Sequence, residues 1–333
     1  MADPTLLQVE GLQTHFGMID GVVRAVEGLS FTINAGETVA IVGESGCGKS
    51  VTSMSILRLV PTPPGKIAGR ILFQGRDLLA CSDAEMRAIR GKDISMIFQE
   101  PMTSLTPVLP IGRQIGESLR LHEGLSAREA GQRAVEILTL VGIPAPARRV
   151  KEYPHQLSGG MRQRVAIAIA MLHGPDLIIA DEPTTALDVT IQAQILSEVQ
   201  KLVRDRGTSL VWISHDLSVV AGLADEIAVM YAGRIVEHGP VDDVLDHPQH
   251  PYTQGLIGSL PSANKRGERL KQIAGMAPSL LDMPAGCAFA PRCQRAAADC
   301  NTPPDLSSPR AQQPRHQVRC FHPGAAAPAK EFA

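Results

Sequence analysis

The chain has 333 residues, 44% hydrophobic and 20% charged, with a formal net charge of −2; that is the composition of a folded globular chain of about two domains. The near-neutral charge gives no electrostatic reason to expect nucleic-acid binding, and an aromatic content of only 3% removes the stacking platforms of single-strand binders. No run of about 18 uninterrupted apolar residues is present, so no membrane-spanning helix is expected.

In chain order, Met1-Ala2-Asp3-Pro4 lacks a basic stretch followed by an apolar core, so no signal peptide is expected. Leu7–Glu10, Val22–Val26 and Leu29–Ile33 alternate like half-buried strands, with turn signals at Gly17, Asp20-Gly21 and Ala35-Gly36. Phe16 falls in the loop beside the first of them; an aromatic there can stack on an adenine ring or simply pack.

Thr38–Val42 is an apolar, β-branched run that reads as a buried strand. It leads into Gly43-Glu44-Ser45-Gly46-Cys47-Gly48-Lys49-Ser50, and Val51 to Val60 reads as a helix. This is the pattern G-x-x-x-x-G-K-[ST] in the strand–loop–helix setting that it requires. Glycines let the backbone turn its N–H groups onto a phosphate, and the helix start adds its positive dipole end. Lys49 is expected to reach the β- and γ-phosphates, and the Ser50 hydroxyl to ligate Mg²⁺.

Pro61–Gly65 is a break, Gly69–Phe73 a strand, and Ser82 with Glu85 a helix cap. Asp93–Phe98 is another buried strand, and it ends at Gln99, where α/β sheets place ligand groups. Residues 111–142 carry apolar positions at helical spacing and read as a separate helical lobe. Leu157-Ser158-Gly159-Gly160-Met161-Arg162-Gln163 precedes a helix through Met171; its Ser-Gly-Gly offers either a second backbone anion site or a plain N-cap.

Leu177–Ala180 is a buried strand ending in Asp181-Glu182, where one carboxylate can hold Mg²⁺ and the next can polarise a water. Thr184–Asp188 follows as a loop, Val189–Arg204 as a helix, and Ser209–Ile213 as a strand running to His215. Glu226–Tyr231 and Arg234–Glu237 close the block as two short strands. Residues 241–285, rich in Pro, His and Gly, show little periodicity.

Six cysteines are present, four of them at Cys287, Cys293, Cys300 and Cys320 with the spacing C-x5-C-x6-C-x19-C. Without a secretion signal, a cytosolic setting makes disulfides improbable, and the clustering favours a metal over free thiols. Zinc knuckles use C-x2–4-C pairs, absent here, whereas iron–sulfur clusters accept varied spacings; spacing alone does not choose between the two metals. Residues 324–333 are Ala/Pro-rich and are expected to fray.

Taken together, residues 5–240 resemble the ATP-binding cassette ATPases, with an α/β P-loop core, an antiparallel β subdomain and a helical signature subdomain. The motifs stand in family order: the phosphate loop Gly43–Ser50, Gln99, the signature Leu157–Gln163, the strand ending in Asp181-Glu182, Ala186-Leu187-Asp188, and His215. The resemblance implies ATP held between one chain's phosphate loop, Gly43 to Val51, and a partner's Ser158, Gly159, Gly160 and Asp188. It implies Phe16 on the adenine, Glu182 as general base, His215 at the γ-phosphate, and Ser50, Gln99 and Asp181 around Mg²⁺. Cys47 occupies an unconstrained loop position, so no catalytic role is expected for it, only sensitivity to thiol reagents. Soluble cassette proteins of DNA repair or translation show coiled-coil insertions or paired cassettes; this chain has one cassette and no heptad run.

Within that family, Phe98–Leu105, Tyr153–Met161, Asp181–Thr190 and His250-Pro251-Tyr252-Thr253 resemble the D-type ATPase subunits of bacterial dipeptide/oligopeptide (nickel/peptide) importers. Thr106-Pro107 departs from relatives that carry Asn before the Pro. The resemblance implies a cassette over residues 1–240 with its helical lobe about 100–160, and an extension over 241–333. It implies two transmembrane permease subunits, a paralogous ATPase as dimer partner, and an extracytoplasmic peptide-binding protein acting indirectly. The location would be peripheral, on the cytoplasmic face of the bacterial inner membrane. Peptides, nickel chelates and haem all move through this branch. The four cysteines would hold a [4Fe-4S] cluster with a structural or redox-sensing role, since no motif links them to hydrolysis.

Overall fold

The computed structural model describes residues 5–99, 104–183, 189–261, 264, 272–309 and 313–324. Its strands in chain order are β1 Thr5–Met18, β2 Gly21–Asn34, β3 Thr38–Val42, β4 Gly65–Phe73, β5 Arg76–Asp77, β6 Ile94–Ile97, β7 Leu177–Asp181, β8 Ser209–Ser214, β9 Glu226–Tyr231, β10 Arg234–Pro240 and β11 Gln317–Val318. The chain forms two compact units. One comprises Asn34–Glu37 and Ala80–Trp212; the other comprises Thr5–Ile33, Thr38–Leu79 and the chain from Ile213 onward.

In the second unit, β2, β1, β4 and β5 make a four-stranded sheet. β1 and β4 pair antiparallel, Leu7 opposite Phe73 and Phe16 opposite Gly65, with a register shift between Glu10 and Gln13. Two sequence expectations are corrected here. Phe16 pairs with Gly65 and the Gly17 N–H donates to the Pro64 carbonyl at 3.2 Å, so the ladder runs on, Gly17 is no turn and Phe16 lies on a strand, not in a loop. The same unit carries the neighbours β11, β10, β9 and β3, with β3 and β9 parallel and β9 and β10 antiparallel. Every residue of β3 and β9 is buried, as expected of strands covered on both faces.

The first unit places β8, β7 and β6 side by side, with β6 and β7 parallel and Ile97 opposite Ala180. Residues 111–142, expected to be helical, form two helices. Ile111–Glu123 ends at Gly124 in the left-handed region, and Ala127–Leu140 begins at Ser126 with a complete capping box to Glu129. The two bury Ile111, Ile115 and Leu119 on one side and Ala130, Ala134, Ile137 and Leu138 on the other. Gly116 faces Ala130 across this contact. The capping box predicted at Ser82 and Glu85 is also present.

Two boundaries differ from the sequence reading. The helix after the phosphate loop spans Lys49–Ile56 and stops short of Val60, because Arg58 turns to φ 50 and the Leu59 N–H donates back to the Met54 carbonyl. The Pro- and His-rich stretch after residue 241 contains two helices, Val241–Asp246 and Pro251–Gly258. They are too short to show a periodicity, yet Pro251 at the first helical position is an ordinary start signal; His250, an unusual cap, accepts from the Tyr252 N–H.

Candidate active site

The phosphate loop leaves β3 and enters the helix at Gly48, which sits at φ 104. A side chain there would collide with the Ala25 carbonyl, and one at Gly43 with the Met230 carbonyl. These glycines are needed because neighbouring backbone presses on the loop. Lys49 is buried, 4% exposed, and its ammonium donates to the carbonyls of Gly43 at 2.8 Å and Glu44 at 3.1 Å. It thereby holds the loop in a ring around its own charge. Ser50 lies in the first turn of the helix, and its carbonyl accepts from the Ser53 hydroxyl. Burial pushes the Cys47 thiol up from its ordinary value, so its expected sensitivity to thiol reagents is low in the folded protein.

Two residues that the sequence reading passed over hold this loop from outside. The Glu44 N–H donates to Tyr252 Oη at 2.9 Å, and the Arg292 guanidinium grips the Glu44 carboxylate with two hydrogen bonds of 2.8 and 3.1 Å. Tyr231, Tyr252 and Phe289 form an aromatic cluster beside them, with ring centroids 4.6–5.6 Å apart. Burial by these rings raises the Tyr252 phenol far above its usual range, so it stays protonated. Phe16 is half-buried on β1, and His215 is exposed just past β8.

In the first unit, β7 delivers Asp181 buried at 4% exposure. Glu182 follows in the left-handed region at φ 45. Such a conformation in a non-glycine residue stores strain and gathers at functional sites. Gln99, at the end of β6, donates from Nε2 to Glu182 Oε2 at 3.1 Å. The structure thus brings together two residues separated by most of the helical part of the chain. Ser158 caps the helix Gly159–Ala170, accepting from the Met161 N–H, and it leaves Gly159 and Gly160 in the first helical turn. Asp188 and the rest of the loop 184–188, together with Glu100–Thr103, lie outside the described residues.

The four tail cysteines line one cavity, with Phe289 and His322 on its wall. Tight turns set them there. The Cys287 N–H donates to the Cys300 carbonyl, Ala290 to Cys287, and Cys293 to Ala290. The sulfurs of Cys293 and Cys320 accept backbone N–H groups from Arg295 and His322, each at 3.3 Å. Burial first, and then the neighbouring thiols, push the Cys320 thiol up to about 11. Asp299, Cys300 and His322 also bring one ligand atom each within 4.8 Å of one another, with His322 Nε2 2.8 Å from Asp299 Oδ1. His322 and Asp299 carried no sequence signal, because neither falls at a recognisable spacing from the cysteines.

Among the described residues, no helix is long and apolar enough to cross a membrane.

Comparison with known proteins agrees with these features. Residues 26–185 match the ABC transporter family model, and residues 236–300 match the C-terminal region of oligopeptide/dipeptide transporters. The chain is 51% identical over 317 residues to the dipeptide transport ATP-binding protein DppD of Bacillus subtilis, covering 95% of this chain and 94% of that one. It is 48% identical over 318 residues to the oligopeptide transport ATP-binding protein OppD of Salmonella typhimurium, covering 96% and 94%. A solved dimeric ATP-binding cassette in a post-hydrolysis state, bound to ADP and Pi, is similar with a TM-score of 0.63 at 29% identity, over 71% of this chain and 98% of that one. The P-loop core, the antiparallel sheet and the relatives matched over nearly their whole length lead to one assignment: the chain belongs to the ABC transporter family, as an ATPase with the C-terminal region of oligopeptide/dipeptide transporters.

Proposed function

We propose that this ATPase drives import of di- or oligopeptides through two separate permease subunits, as a peripheral protein on the cytoplasmic face of a bacterial inner membrane. The observation that carries this reading is the C-terminal match over residues 236–300 in a chain that aligns with peptide-transport ATPases over most of its length. The working unit is a head-to-tail pair of cassettes, with a paralogue as the partner chain, and an extracytoplasmic peptide-binding protein delivers the cargo. Residues 1–240 act as the cassette, with the lobe about 100–160 facing the permease. Residues 241–333 are the importer-specific extension.

The site residues divide the chemistry among them. Lys49 and the N–H groups of Gly43–Val51 hold the phosphates, and Phe16 stacks on the adenine. Ser50, Asp181 and Gln99 would hold Mg²⁺, which neutralises charge on the phosphates when bound. Glu182 takes a proton from the attacking water as the water oxygen bonds to the γ-phosphorus. The bond to the bridging oxygen breaks, and ADP and phosphate leave. Gln99 aims the Glu182 carboxylate, and His215 contacts the γ-phosphate. Ser158, Gly159, Gly160 and Asp188 of the partner cassette complete the nucleotide's surroundings.

Cys287, Cys293, Cys300 and Cys320 would hold a [4Fe-4S] cluster. Four soft thiols on one cavity, two of them accepting backbone N–H groups, are a donor set that suits such a cluster, and the cluster would supply a cross-link among distant segments with redox character.

Uptake of labelled peptides by cells lacking this chain, restored by the wild-type gene and not by Glu182→Gln, tests the transport reading; undiminished uptake without the chain would refute it. Iron and acid-labile sulfide near four each per chain in anaerobically purified protein, lost in Cys293→Ser, test the cluster. A single zinc would replace it.

A further inference from the structure

The segment that carries the cysteines also reaches the phosphate loop, through one side chain. Arg292 directly precedes Cys293 and ends the one-turn helix Ala290–Arg292. Its guanidinium has five N–H donors, and five acceptors meet them. Two go to Glu44, at 2.8 and 3.1 Å; one reaches Tyr231 Oη at 3.4 Å; the others reach the carbonyls of Ala274 at 3.0 Å and Ile273 at 3.4 Å. The side chain is only 6% exposed and lies over the Tyr231 and Phe289 rings, 5.8 and 5.9 Å from their centroids. A bidentate pair with one partner so enclosed is unlike an open surface ion pair, whose contribution is small.

Glu44 in turn is part of the loop's internal scaffold. Its carbonyl accepts from Lys49 Nζ at 3.1 Å and from the Cys47 N–H at 3.3 Å, and its own N–H donates to Tyr252 Oη. Arg292 and Tyr252 therefore fix the residue that helps aim Lys49. On the other side, the turns Ala290 to Cys287 and Cys293 to Ala290 leave Arg292 little freedom apart from its flanking cysteines.

We propose that Arg292 is a positioning residue for the phosphate loop: it ties the cysteine-bearing segment to Glu44, so that the integrity of the cysteine site is read as affinity for ATP. The link to that site rests on the cysteine reading given above; the Arg292–Glu44 strut does not. Without the strut, the loop must order itself on each binding event, and backbone entropy is then spent at that step.

The test uses the full-length chain assembled with its partner cassette and permease subunits, purified without oxygen, with MgATP as ligand, and measures KM, kcat and iron content on the same samples. Arg292→Gln is expected to raise the KM for ATP about tenfold, equivalent to about 1.4 kcal/mol, with kcat within about twofold and iron content unchanged. Arg292→Lys keeps the charge but not the fork, and is expected to lose about threefold. Glu44→Gln is expected to raise KM similarly and to add nothing to Arg292→Gln. Cys293→Ser is expected to raise KM too, again without adding to Arg292→Gln.

A KM within twofold of wild type in Arg292→Gln, or full additivity with Glu44→Gln, overturns the proposal. If Arg292→Gln fails to fold, Glu44→Gln decides, because it cuts the same contact from the loop side: an unchanged KM overturns the strut. Absence of iron in wild-type protein refutes the cluster without touching the KM result. A Cys293→Ser protein with normal KM refutes the link to the cysteine site and leaves the strut.

Discussion

Gln99 Nε2 donates to Glu182 Oε2 at 3.1 Å, at a glutamate held in the left-handed region at φ 45. A carboxylate that is both strained in its backbone and oriented by an amide donor is preset for one task, and an amide can copy its shape without its basicity.

Glu182→Gln is therefore expected to bind ATP within about threefold of wild type and to lose at least about a hundredfold in turnover, in the range removed with a general base. Steady-state phosphate release beside nucleotide binding checks this. Turnover near wild type would remove Glu182 from the base role.

Lys49→Ala deletes the ammonium that donates to the Gly43 and Glu44 carbonyls and would contact the phosphates. ATP affinity is expected to fall by about tenfold or more, since each tenfold is about 1.4 kcal/mol and a charged hydrogen bond is worth that much. Equilibrium titration with nucleotide measures it, and unchanged affinity would count against the phosphate-loop role.

Glu237 is fully buried and accepts from the Gln249 N–H at 2.6 Å, the His250 N–H at 2.8 Å and His316 Nε2 at 2.7 Å. Glu237→Ala strands all three donors and is expected to cost about 3 kcal/mol or more. A lower urea midpoint of unfolding reports this, and a midpoint equal to wild type would show that the network contributes no stability.

Burial alone would raise the Glu226 carboxyl, yet His238, with Nε2 3.1 Å away, and Arg315 hold it below its ordinary value. A depressed carboxyl binds fewer protons folded than unfolded. Its contribution is therefore complete above the ordinary carboxylate range and is lost as pH falls through that range toward the folded value. Glu226→Gln is expected to flatten the acid limb of a stability-against-pH curve, measured by thermal unfolding below about pH 5. An acid limb identical to wild type would mean that other carboxylates set it.

The sequence by itself located the phosphate loop Gly43–Ser50, because phosphate binding demands particular residue types at a short, fixed spacing in a strand–loop–helix setting; Gln99, Ser158–Gly160, Asp181-Glu182 and His215 became candidates through the family order of the motifs, since each alone has an ordinary structural reading. It also determined the buried strands β3, β7, β8 and β9, whose unbroken apolar runs have no other use. Only the tertiary structure decided that Phe16 lies on a strand, since pairing with Gly65 carries the ladder past a glycine that reads as a turn. Only tertiary structure paired Gln99 with Glu182 and Arg292 with Glu44. Those pairs join residues 83 and 248 positions apart, and no local periodicity or propensity records which distant side chains a fold brings within hydrogen-bond reach. The cysteines were visible as a set, but their common cavity, and its attachment to the phosphate loop through Arg292, arise from turns and packing that the spacing alone does not encode.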